Sequence, residues 1–175
     1  MQSIGLILCI HNTQPPGGGG LELKRAFERA WLPLIEHLGE FPSLRCSMHW
    51  SGQLLDWMEK YAPEHLKQLE SLVASDQVEI LGGLFGGGLL PSLPERDAVG
   101  QIHYMNRWWK SHGDPKIRGA WLPLSAWSPD AARILNRLGL QFTVLEEYQF
   151  SPPVSIDGWC LTEREGNALA IFPGD

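Results

Sequence analysis

The chain has 175 residues, of which 43% are hydrophobic and 19% are charged, and its formal net charge is −6. This size and apolar content are enough for a domain with a sizeable core and exclude a disordered chain. The acidic balance, without any run of Lys or Arg, argues against nucleic acid or an anionic membrane surface as the main partner.

The cysteines and the first residues indicate the cellular compartment in which the protein works. Cys9, Cys46 and Cys160 are scattered and odd in number, so they indicate neither a metal site nor a disulfide framework. The opening stretch MQSIGLILCIH is apolar but has no basic region and no small-residue cleavage site, and no stretch approaches the length of a membrane span. We therefore expect a cytoplasmic protein.

The first half of the chain alternates strand and helix patterns. Residues 4–10 form a short apolar run typical of a strand that is covered on both faces. Apolar residues then recur every three or four positions over 22–37, which predicts a helix that Pro33 kinks or divides. The patterns that follow predict a strand at 44–50 and two helices, at 52–61 and 63–75.

The second half continues the alternation. Its predicted elements are a strand at 77–81, a Gly-rich loop, a helix at 95–111 and strands at 117–122 and 140–145. The helix predicted at 128–138 has strong end signals, because Ser128 can cap it, Pro129 suits its first turn and Gly139 follows its end.

The last segment predicts a hairpin. Residues 159–162 and 168–172 flank a turn made of Glu165, Gly166 and Asn167. Because strands and helices alternate before it, the whole order indicates an α/β fold with parallel strands, either open or closed into a barrel.

Ligand chemistry in parallel α/β folds collects where the strands end. The predicted strands end in His11, His49, Trp121 and Glu146, and the chain has 8 Trp, about half of which we expect in the core. Trp faces can stack on sugar rings while His and Glu bind hydroxyl groups. This edge therefore suits a neutral polyhydroxy ligand.

Other chemistries have weaker support. The carboxylates Glu146 and Glu147 are adjacent and would point to opposite faces if extended, so they cannot form a catalytic pair. The histidines show no metal-ligand spacing, and the Gly-rich loop lacks the Lys of a phosphate-binding loop. We expect no cofactor and no metal.

Several stretches together resemble glycoside hydrolase family 57. ILCIHNTQP is similar to its first motif, typically H-N-H-Q-P. GAWLPLSAWSP is similar to its third, roughly G-x-W-L-T-E-R-x-W-x-P, and QVEILGG resembles the motif between them. The similarity is collinear over almost the whole chain.

The resemblance implies a retaining enzyme of α-glucan metabolism built on an irregular (β/α)7 barrel. It assigns His11, Gln14 and Trp121 to substrate binding, while Thr13 replaces a family histidine. It also aligns Leu124 with the nucleophilic Glu, and leucine cannot form a glycosyl ester. The family's acid/base Asp lies further downstream than Asp175.

Trp159 to Arg164 also looks like the nucleophile motif, with Glu163 as the carboxylate. The collinear matches on both sides argue against Glu163, because they assign the motif to residues 119–129.

We expect residues 1–175 to form the N-terminal part of an incomplete (β/α)7 barrel that is catalytically inactive as it stands but still binds α-glucan or malto-oligosaccharide. One alternative is a fragment of a larger enzyme, with a partner chain or a missing C-terminal part completing the barrel. Another is a metal-dependent polysaccharide deacetylase-like barrel, against which the lack of an Asp motif counts.

Overall fold

The structure is a computed structural model that describes residues 6–13, 19–150 and 158–174. Within these ranges, seven strands form a single sheet in the order β1-β2-β3-β4-β5-β7-β6. The strands are β1 (Cys9–Asn12), β2 (Cys46–Trp50), β3 (Val78–Gly82), β4 (Gly119–Ala120), β5 (Phe142–Glu146), β6 (Cys160–Arg164) and β7 (Asn167–Gly174).

The helices alternate with these strands as the sequence predicts. They are α1 (Gly20–Ala26), α2 (Leu32–Glu40), α3 (Gly52–Tyr61), α4 (Pro63–Ala74), α5 (Glu95–Lys110) and α6 (Pro129–Arg137). All neighbouring strands from β1 to β5 pair in parallel, and so do β5 and β7. The expected α/β fold with parallel strands, matching the first part of a barrel, is therefore confirmed.

The predicted hairpin is present at the end of the described sheet. Strand β6 pairs antiparallel with β7, and Arg164 faces Asn167 across a turn of only two residues. Glu165 and Gly166 both have positive φ angles, of 53° and 75°, which is the backbone that matches the twist of a two-residue hairpin. The turn is thus one residue shorter than predicted, since Asn167 already belongs to β7.

Pro33 divides the first helical segment as expected. A π-helical turn, Phe27–Trp31, separates α1 from α2, and the Leu32 N–H donates to the Phe27 carbonyl five residues back. Pro33 has no N–H, and its ring would clash with the carbonyl four residues earlier in a regular helix. The wider turn directly before Pro33 accommodates both constraints.

Two apolar clusters on the helical side of the sheet make up the core. One joins α1 to α4 and the C-terminal part of α5 to β2 and β3, around Met48, Leu55 and Leu69. The other joins α5 and α6 to the later strands, around Ile102 and Leu135. Four of the eight tryptophans are buried in the first cluster, which confirms the expected division: Trp31, Trp50, Trp108 and Trp109.

The first strand is less covered than its apolar run predicts. Leu6 and Ile7 are 83% and 71% exposed, and β1 begins only at Cys9. The reason is position, because β1 is an edge strand of the described sheet and pairs only with β2. An apolar run predicts burial only when other strands or helices cover both of its faces.

Gly119 offers a test of how tightly this sheet packs. A Cβ added there would lie 2.3 Å from Phe142 and 2.6 Å from Leu81, whereas one added at Gly100 in α5 meets nothing within 4 Å. We expect Gly119→Ala to lower the free energy of unfolding by about 1–3 kcal/mol through overpacking. Gly100→Ala should raise it by about 0.5–1 kcal/mol through helix propensity. Urea unfolding of both variants checks this, and equal effects would contradict the close packing of β4.

Candidate functional site at the carboxyl edge of the sheet

The parallel strands bring their carboxyl ends to one edge, and two predicted binding residues meet there. The rings of His11 and Trp121 stack with centroids 4.8 Å apart and an interplanar angle of 10°. His11 belongs to β1 and Trp121 follows β4, so three strand spacings of about 4.8 Å separate them along the sheet. Such a contact requires the sheet to curl, with both side chains on its concave face.

The stack restricts how a ligand could use Trp121. The His11 imidazole covers one face of the indole, and the indole Nε1 is buried without a hydrogen-bond partner among the described residues. His11 itself is exposed. A sugar ring that stacks on that indole face must therefore take the place of His11.

His49, at the end of β2, is the most deeply buried polar side chain of this edge. It is 1% exposed, and its Nδ1 lies 3.1 Å from the Leu81 carbonyl of β3. Burial lowers the pKa of His49 from 6.5 to about 4, with a smaller contribution from nearby His11, although the Leu81 and Gly82 carbonyls act in the opposite direction. His49 is therefore neutral at pH 7.

The backbone around His49 is packed closely. The Asn12 amide donates to the His49 carbonyl over 3.3 Å, and Asn12 is itself buried. Gly83 has φ 144°, and a Cβ there would lie 2.8 Å from the Trp121 carbonyl and 3.5 Å from His49 Cε1. Glycine at position 83 thus lets the ends of β2, β3 and β4 approach one another.

Leu124 occupies a strained turn beside this edge. It lies in a 3₁₀ turn, Pro123–Ser125, with φ 55° and ψ 25°, and its side chain is 78% exposed. Ser125 also has a positive φ, of 49°. Left-handed backbone is costly for residues other than glycine and is concentrated at functional sites. This backbone holds the side chain of residue 124 out in solvent.

The three glutamates considered as catalytic carboxylates lie at opposite edges of the sheet. Glu146 and Glu147 are exposed at the carboxyl end of β5, where the Glu146 N–H donates to the Ser125 hydroxyl over 3.3 Å. Glu163 lies beside the hairpin turn, where its carboxylate accepts from the Gly166 N–H. Because that turn precedes β7, Glu163 is at the opposite edge from His11 and Trp121.

Gln14 lies outside the described residues. Within the described ranges, no three His, Cys, Asp or Glu side chains are grouped so as to hold a metal ion. None of the helices in these ranges combines the length and apolar character needed to cross a bilayer.

A surface groove of about 590 Å³, lined by Phe27, Trp57 and Tyr61 among others, lies between helices rather than at the strand ends.

Comparison with known proteins identifies the family. A family model described as Glycosyl hydrolase family 57 matches residues 9–175. The chain belongs to glycoside hydrolase family 57. An alpha-amylase from Pyrococcus horikoshii is 35% identical over 179 aligned residues, which take in 100% of this chain and 28% of the amylase.

Solved structures of family 57 enzymes have the same fold as this chain. The 4-alpha-glucanotransferase of Thermococcus litoralis superposes with a TM-score of 0.90 at 33% identity, over 95% of this chain and 27% of the transferase. The chain thus spans about a quarter of the length of these two relatives. A polysaccharide deacetylase from Mycobacterium smegmatis matches with a TM-score of 0.68, over 100% of this chain and 62% of the deacetylase, but at 10% identity this likeness concerns the fold alone.

The strained turn of this family 57 chain predicts an unusual stability change. We expect Leu124→Gly to raise the free energy of unfolding by about 0.5–1 kcal/mol, because glycine relieves the left-handed strain and the lost side chain is mostly exposed. Leu124→Ala keeps the Cβ and should change stability little. Chemical denaturation measures the free energy of unfolding of both variants. A less stable Leu124→Gly variant would contradict the inference that the backbone at residue 124 is strained.

The low pKa of His49 predicts how stability depends on pH. The unfolded chain takes up a proton near pH 6.5, whereas folded His49 does so only near pH 4. The contribution of neutral His49 to the free energy of unfolding is therefore complete above pH 6.5. It is lost as the pH falls to about 4, which lowers the free energy of unfolding by on the order of 3 kcal/mol. Denaturant unfolding at several pH values should show a shallower decline for His49→Asn, and parallel profiles would contradict the assignment.

Proposed function

We propose that this family 57 chain binds malto-oligosaccharides at the carboxyl edge of its sheet and does not hydrolyse them. The observation that carries the proposal is Leu124, which the G-x-W-L motif aligns with the family's nucleophilic glutamate. A retaining glycosidase needs one carboxylate as nucleophile and a second as acid/base. Leucine has no ionisable group and cannot form the covalent intermediate.

The side chain at position 124 is nevertheless presented as a functional side chain would be. The left-handed backbone at Leu124 and Ser125 persists although leucine gains little from it, since its side chain is 78% exposed. Strain of this kind costs about 1–3 kcal/mol and is kept where the surrounding structure imposes it. This supports a turn inherited from a catalytic site in which the reactive group has been replaced.

Sugar recognition is proposed for His11, Gln14 and Trp121. The stacked rings of His11 and Trp121 provide an aromatic surface, and Trp121 Nε1 is a buried donor without a described partner. An indole face can stack on a sugar ring, and an unpaired donor can bind a hydroxyl group. Relatives named alpha-amylase and 4-alpha-glucanotransferase make an α-glucan the ligand that we propose.

A second candidate is that residues 1–175 are the N-terminal part of a larger α-glucan enzyme and act only with the rest of its barrel. The exposed apolar side chains of Leu6 and Ile7, just before edge strand β1, support it, as does the length of the relatives. An uncovered edge strand with apolar side chains invites pairing. This candidate expects aggregation or obligate dimers from the purified chain.

Tryptophan fluorescence tests binding directly. We expect titration with maltoheptaose to give a saturable change that Trp121→Ala abolishes, because Trp121 would contact the sugar. Trp57→Ala is the matched control, since Trp57 lies in the groove between helices, away from the strand ends, and should leave the titration unchanged. No glucose or shorter oligosaccharide should be released during incubation.

Light scattering on the same sample separates the two candidates. A monodisperse monomer that binds maltoheptaose without cleaving it supports the first. Aggregates or obligate dimers without binding support the second, and release of sugar by the wild-type chain would overturn the proposed loss of catalysis.

A further inference from the structure

One polar atom at the carboxyl edge has no assigned role, the Nε2 of His49. The ring's Nδ1 lies 3.1 Å from the Leu81 carbonyl, and a carbonyl can only accept a hydrogen bond. The proton of the neutral imidazole is therefore on Nδ1, which leaves Nε2 as an acceptor. In residues 6–13, 19–150 and 158–174, the hydrogen bond found at this ring is the one at Nδ1, so Nε2 is open to a ligand.

The ring cannot easily turn to satisfy Nε2 elsewhere. His49 is 1% exposed, its backbone carbonyl accepts from Asn12, and its Cε1 lies against the backbone of Gly83. The same edge holds a second unpaired group, Trp121 Nε1, which can only donate. A buried donor without a partner destabilises the free protein, and a ligand that accepts its hydrogen bond removes that cost.

We propose that His49 is a specificity-determining residue whose Nε2 accepts a hydrogen bond from a hydroxyl group of the bound oligosaccharide. The inference rests on the proposed function, because it assigns a new contact within the proposed sugar site. It deepens that function by naming a rigid, neutral acceptor on β2, between His11 on β1 and Trp121 after β4.

The proposal also restricts the chemistry of the ligand. A neutral acceptor favours a hydroxyl donor and offers nothing to a phosphate or carboxylate, which can only accept. Glu146 and Glu147 add negative charge at the same edge, and no Lys or Arg occurs in 9–13, 50–52, 82–88 or 119–128. We therefore expect neutral malto-oligosaccharides to bind in preference to phosphorylated or uronic sugars of the same length.

Nitrogen NMR on the full chain, labelled with ¹⁵N-histidine, tests the acceptor directly. We expect the free protein to show a His49 ring protonated at Nδ1 and unprotonated at Nε2. Addition of maltoheptaose should shift the Nε2 resonance in the direction of hydrogen-bond acceptance. A ring protonated at Nε2, or an Nε2 resonance that stays unchanged at saturating sugar, would overturn the inference.

Two substitutions test the contribution to affinity. An Asn at position 49 can still donate to Leu81 but does not reach the position of Nε2, so His49→Asn should weaken maltoheptaose binding about tenfold, the value of one hydrogen bond. His49→Gln, whose amide oxygen reaches about as far as Nε2, should bind more tightly than His49→Asn. The matched control is His103→Asn on the exposed face of α5, which should bind as the wild type does.

The outcomes distinguish this inference from the proposed function. If the wild type binds maltoheptaose and His49→Asn binds equally well, only the role of His49 is wrong. If the wild type does not bind at all, the proposed function fails and this inference fails with it. Because the NMR measurement uses the wild-type chain, it remains decisive even if a variant at position 49 does not fold.

Discussion

Parallel pairing of consecutive strands is the constraint on which the rest of this structure depends. Each strand from β1 to β5 hydrogen-bonds to the next in the same direction, so all their carboxyl ends meet at one edge. The helices must then return on one side, where the two apolar clusters form. The opposite, concave side is left for the contact between His11 and Trp121. The candidate site and the core therefore lie on opposite faces of the same sheet.

Close approach between backbones gives this edge its shape. Gly83 brings the end of β3 against the Trp121 carbonyl, and Gly119 lets the short β4 fit between Phe142 and Leu81. These contacts leave His49 buried and neutral, with one ring nitrogen bonded and the other available. The low pKa of His49 and its proposed role in recognition therefore have the same origin, which is the tightly packed junction of β2, β3 and β4.

Under the proposed function, loss of the nucleophilic glutamate removes catalysis but leaves the geometry of the turn in place. The turn at Leu124 keeps a left-handed backbone and an exposed side chain. The cost is local, so the fold retains its TM-score of 0.90 with a family 57 glucanotransferase. Binding and catalysis can separate in this way because stacking surfaces and hydrogen-bonding groups come from several strands, whereas the nucleophile is a single side chain.

The sequence by itself determined the α/β order, the helix ends at Ser128 and Gly139, the division at Pro33 and the family, because these depend on local spacing and on short motifs. It also argued against Glu163 as the nucleophile, because the collinear matches assign that motif to residues 119–129. Only the tertiary structure decided that Leu6 and Ile7 are exposed, that His11 covers an indole face, and that His49 is buried with a low pKa. Burial, ring stacking and pKa depend on which residues distant in the chain become neighbours, and no local pattern contains that information.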